Sequence, residues 1–174
     1  MKTIGSFTNI KLSNMKKVFL SLVAVAALTF GANEVKAQTP FKSAIGIVFD
    51  GNDGSNVGVQ YKTAVGPTTA LQLQAAFRSN WISLGGDYQY EKAINGAEGL
   101  AWYAGAGAHV GIITADTHGG DKVFVGIRPQ AGLEYKLPTV PIGLHLDYKP
   151  TIGIINGGGF GGDGFTFGVK YILK

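Results

Sequence analysis

Trp102-Tyr103-Ala104-Gly105-Ala106-Gly107-Ala108-His109-Val110-Gly111-Ile112 is the stretch on which the fold turns. Its even positions are all apolar: Trp102, Ala104, Ala106, Ala108, Val110 and Ile112. Its odd positions are glycine or carry a polar group: Tyr103, Gly105, Gly107, His109 and Gly111. A period of two places these sets on opposite faces of one β-strand. The segment containing it, residues 100–114, is well beyond the usual strand length of about 5–6 residues.

The same alternation recurs on both sides. It predicts strands over 41–49, 56–65, 68–77, 81–92, 100–114, 122–137, 142–155 and 165–173, with no window of helical spacing between them. Without a helix to cover a face, such strands predict an all-β fold, an eight-stranded antiparallel up-and-down barrel.

Composition narrows the class. The chain has 174 residues, 45% hydrophobic and 15% charged, with 27 Gly and no Cys. Glycine is roughly double the ~7% average. The lack of a G-X-Y period excludes collagen, and 11% aromatics oppose disorder. Without cysteine there is no disulfide, thiolate metal site or cysteine nucleophile.

The N-terminus reads as an export signal. Basic Lys16-Lys17 precedes an apolar run from Val18 to Phe30, and Val35-Lys36-Ala37 fits a small-x-Ala cleavage pattern. The run is shorter than the ~20 residues a transmembrane helix needs. Residues 1–37 are therefore expected to be an extension plus a helical signal peptide, with Met15 a candidate start and cleavage after Ala37; residues 38–174 form the barrel domain. The formal charge of +4 comes from Lys2, Lys11, Lys16, Lys17 and Lys36 against Glu34 in this prefix. The remainder is neutral, so nucleic acid is not an expected partner.

Alternation alone does not say which face is outside. A lipocalin-like carrier turns the apolar face inward, a membrane barrel outward. Strand length favours the membrane, since about 9–11 tilted residues cross a bilayer. So does the glycine on the polar face (Gly58, Gly85, Gly105, Gly107, Gly126, Gly132), which suits a crowded lumen. With the N-terminus periplasmic, Phe41, Tyr61, Tyr88, Tyr90, Trp102, Tyr135 and Tyr171 fall toward the periplasmic end of the apolar face. Phe49, Phe77, Phe165 and Phe167 fall toward the other. Two aromatic girdles are what bilayer interfaces select; Tyr148, mid-strand, is the exception.

Together with the signal peptide and the C-terminal Phe165–Lys174 segment, the eight strands resemble the small outer-membrane β-barrels of Gram-negative bacteria, of the OmpX, OmpW and OmpA-barrel type, including porin-like β-barrel domains. The resemblance spans about 38–174 and rests on pattern. It implies an integral outer-membrane protein, monomeric and without a cofactor. Its partners would be outer-membrane lipid, lipopolysaccharide among the candidates, and the barrel-insertion machinery during assembly. In that group the last strand usually ends in an aromatic, whereas here Tyr171 lies three residues before Lys174.

The polar face carries Lys42, Lys62, Asp87, Glu91, Arg128, Glu134, Lys136, Asp147, Lys149 and Lys170. Charges inside a narrow barrel have to be paired, because a lone buried ion costs several kcal/mol. Glu134, Asp87 and Asp147 are expected to meet Arg128, Lys62 and Lys149 in a plug that closes the tube. The alternatives are a narrow channel for ions or small amphipathic molecules, and a secreted lipocalin-like carrier. If 138–141 is a turn, Pro129 faces Pro150, and the ladder should break there.

Catalysis has little support: His118, Asp116 and Asp121 share one predicted outer loop with Ser79 in another, and no metal or catalytic set is expected. The G-x-G-x-x-G match at 157–162 is followed by no helix, so it is no phosphate cradle. Asp50, Asn52 and Asp53 read first as a hairpin loop.

Overall fold

The computed structural model describes residues 39–51, 56–113, 122–156 and 159–174. The predicted signal peptide, Asn52, Asp53, Asp116, His118, Asp121, Gly157 and Gly158 lie outside them. The strands are β1 (Ser43–Asp50), β2 (Asn56–Ala64), β3 (Thr69–Arg78), β4 (Trp81–Ala93), β5 (Leu100–Ile113), β6 (Lys122–Lys136), β7 (Ile142–Tyr148), β8 (Thr151–Ile155), β9 (Phe160–Gly161) and β10 (Phe165–Leu173).

Each strand pairs antiparallel with its neighbour, and β1 pairs with β10 from Ser43↔Leu173 to Asp50↔Thr166. That last pairing closes the sheet into a barrel of eight staves. The seventh stave is β7 continued by β8, and the eighth is β9 continued by β10. The end where Ser43 meets Leu173 is the near end; its connections run through residues 65–68, 94–99 and 137–141. Gly96 and Gly99 supply the positive φ, 83° and 79°, that the 94–99 turn requires. At the far end the β3–β4 turn is only Ser79-Asn80, since Arg78 already pairs with Trp81.

Opposed prolines interrupt the seventh stave. The β6–β7 register runs from Lys136↔Gly143 to Ala131↔Tyr148 and resumes at Ile127↔Ile152. Pro129 therefore lies opposite Pro150. Leu137 N donates to Ile142 O at 2.9 Å, and bonded pairs alternate in an antiparallel ladder. Counting from that pair, 129 and 150 fall where each residue would donate to the other. Neither has an N–H. The strand stops at Tyr148 and restarts at Thr151, with a further register shift between Val125 and Gly126. Lys149 N turns to the other side and donates to Gly164 O at 2.5 Å. Pro150→Val should restore one ladder bond and raise stability by about 1 kcal/mol, read as a higher urea midpoint. An unchanged midpoint would mean the Pro129 carbonyl is already satisfied.

Burial is inverted relative to a water-soluble domain. Among the described residues seven hydrophobic side chains are buried, against twenty-one polar or charged ones. The large apolar side chains stand outside: Ile45, Ile47, Val59, Leu84, Ile127 and Leu146 are 42–56% exposed.

Two placements correct the expectation from alternation. Lys42, predicted to face the lumen, is exposed, and Phe41, predicted for the outer aromatic belt, is buried at 7% exposure. The chain bends at residues 39, 40 and 42, just before β1, so strand parity ends at Ser43. Charge explains the exchange. The nearby lumen already holds the ammonium groups of Lys62 and Lys170, and a third cation would repel both. The Phe41 ring instead offers them its negative face, 5.8 and 5.9 Å from its centroid.

Candidate functional site

The lumen holds two ionic clusters built from strands on opposite sides of the barrel. Toward the near end, Lys62 on β2 donates to both Glu91 on β4 and Glu134 on β6. Lys170 on β10 donates to the other oxygen of Glu134 at 2.5 Å and to Gln72 Oε1 at 3.0 Å. Two cations and two anions balance. The Lys62 ammonium also sits 4.8 Å from the centre of the Tyr103 ring. All four ionic side chains are essentially fully buried.

Farther along, Lys149 donates to Asp87 Oδ2 at 2.9 Å and to Gln74 Oε1 at 3.5 Å. Arg128 stands between two carboxylates, 3.5 Å from Asp87 and 3.7 Å from Asp50. Gln74 Nε2 donates to Asp50 at 3.1 Å. Here too two cations balance two anions. Glycine makes the room. A Cβ at Gly107 would strike the Asp87 carboxylate, and one at Gly85 would strike the Arg128 guanidinium. At a low effective dielectric such compensation is what makes buried charge tolerable.

Asp147 departs from the predicted pairing. It meets none of the expected cations within ion-pair distance; it accepts hydrogen bonds from the hydroxyls of Tyr103 and Thr166. The cations are consumed elsewhere, Lys62 and Lys170 by the glutamates and Lys149 by Asp87. Lys136 is half-buried at the near rim, beside a cavity of about 610 Å³ also lined by Lys92, Asn95, Glu98 and Pro138. His109 and His145 are buried.

Tyr103 and Thr166 fall on the predicted polar face but outside the expected network, whereas Asp50 falls in a predicted loop. The predicted loop residue Asp50 is buried and closes β1. Its even parity with Ala44, Gly46 and Val48 was the available signal.

The outward aromatics gather toward the two ends. Tyr90 and Trp102 pack with centroids 5.7 Å apart on neighbouring strands near the β4–β5 turn. Tyr61 is half-buried, and Tyr88, Tyr135 and Tyr171 are exposed outside. Phe49 pairs with Phe167 in register, and Phe77 with Val57. Tyr148 is not mid-strand: β7 ends there, and its ring lies 5.1 Å from Phe165, with its hydroxyl donating to Gly162 O at 2.8 Å.

No family model and no curated protein matches the sequence. Among solved structures, the N-terminal β-barrel domain of Pseudomonas aeruginosa OprF aligns with a TM-score of 0.61 and 16% identity, over 74% of this chain and 95% of that one. The two share a fold. The OprF domain is covered almost whole, so the likeness extends over the entire closed barrel.

Proposed function

We propose that this chain is an integral outer-membrane β-barrel protein with a polar, largely closed interior, serving a structural or surface-interaction role without enzymatic chemistry. One observation carries the reading: the charges are inside and the apolar surface is outside. A belt of exposed Ile, Leu, Val and Phe around every stave is far larger than the patches soluble monomers tolerate. In lipid the same belt is satisfied, and the closed sheet leaves few backbone groups unpaired. Aromatics toward both ends suit the two interfaces. The OprF-like fold supports an outer-membrane location, as does the export signal read from residues 15–37.

The interior favours closure. An eight-stranded barrel has room for side chains and little else, and here charged side chains from β2, β4, β6 and β10 meet across it. The lipocalin-like alternative needs an apolar cavity, which a lumen of Lys, Glu, Asp and Gln does not offer. The narrow channel keeps one specific support: Arg128 stands beyond hydrogen-bond length from both of its carboxylates.

Gel mobility of the detergent-extracted protein, unheated against heated, tests the reading. A compact band that shifts on boiling is expected. A protein that stays soluble in buffer after export, with no shift, would overturn it. Steady single-channel steps in planar bilayers would replace the closed interior by the channel.

A further inference from the structure

We infer that residues 39–42 form a stopper, in which the Phe41 ring closes the near mouth of the lumen over the Lys62–Glu134–Lys170 cluster. Phe41 precedes β1, so nothing in the sheet ladder obliges it to point inward. It is nevertheless buried, and two ammonium groups lie within 6 Å of its centroid. The ring also lies against Gly143, the register partner of Lys170, where an added Cβ would come within 3.2 Å of it. The absent side chain at Gly143 leaves the ring its room, since an added Cβ would be a tight fit against it.

The segment has the build of a hinged cap. Thr39, itself buried, donates its hydroxyl to Phe41 O at 3.2 Å, which holds the bend that aims the ring inward. The tie to the sheet is one residue later, where Ala64 N donates to Lys42 O at 2.8 Å. Movement about Lys42 would lift the ring without breaking a β1–β2 pair, since that register begins at Ser43↔Thr63. The lifted state exposes Lys62, Lys170 and Gln72 to water from the near side. The seated ring keeps that cluster dry, and dryness is what makes its ion pairs strong.

The chain has no cysteine, so a single introduced thiol reports on access. Gln72→Cys puts a smaller side chain beside Lys170, and a small charged thiol reagent is the probe, applied to the full chain in detergent. Slow labelling is expected with Phe41 in place. Phe41→Ala should raise the rate by about tenfold or more, because the buried ring contact is lost; Phe41→Leu should fall between. A thiol at Gln74→Cys, two residues farther along β3, should not respond to Phe41. Equal labelling of Gln72→Cys with Phe or Ala at position 41 would overturn the stopper. So would a parallel rise at Gln74→Cys, which would report a loosened barrel. If Phe41→Ala fails to give a heat-modifiable band, Phe41→Leu carries the comparison. Because the test reads the lumen in detergent, its outcome is separate from that of membrane location.

Discussion

Glu134→Gln is expected to cost the barrel about 3–5 kcal/mol, the range for breaking a buried ion pair by removing one partner. Glu134 is the hub of the near cluster: one oxygen accepts from Lys170, the other from Lys62. Neutralising it leaves two ammonium groups with Glu91 as their only ion-paired acid. The side chain keeps its shape, so packing is nearly unchanged and the loss is electrostatic. Urea titration of the refolded protein reads it as a lower midpoint. Glu134→Gln with Lys170→Met should recover much of the loss, because one cation leaves with the anion. A single variant within about 1 kcal/mol of the parent would mean that water solvates the cluster, and that the lumen is wet.

Leu84→Arg has the second large expectation. Leu84 is 46% exposed on the outer face, in the register row that runs through Val59, Ala75 and Val110. Phe77 lies two residues beyond Ala75 on one side and Tyr88 four residues along β4 on the other, so the row sits between the aromatic ends. In a bilayer, Arg on the lipid face near the midplane costs about 2–4 kcal/mol. Ser79→Arg, in the exposed β3–β4 turn, should stay within about 0.5 kcal/mol. Unfolding from lipid vesicles compares the two. If both variants behave alike, the apolar face is not in lipid.

Much of the fold was legible because one rule, period two, governs every stave. The eight predicted segments match the observed strands to within two residues at most ends, and the opposed prolines followed from a single turn assignment at 138–141. The seventh segment nevertheless divides at Lys149-Pro150, since proline cannot serve a central ladder. What escaped is what parity cannot encode. Parity says that Asp147 faces inward, but whether a lysine or a hydroxyl meets it depends on distances across the lumen. It also fails where the strand ends: Phe41 and Lys42 exchange faces because the chain bends there and cation–π contact outweighs alternation. Asp50 shows the converse: aspartate is common in turns, so composition points to a loop where the chain continues as strand.

The pairing of β1 with β10 has a kinetic consequence. Every other seam joins elements close in the chain, hairpins with short connections. The closing seam joins Ser43 to Leu173, across nearly the whole domain. Loop-closure entropy for such a span must be spent before any of its contacts form. Until the last strand arrives, β1 is an open edge with unpaired backbone, the state most exposed to aggregation. Closure of this seam is therefore the expected slow step of barrel formation, and it is also the step that covers the exposed edge.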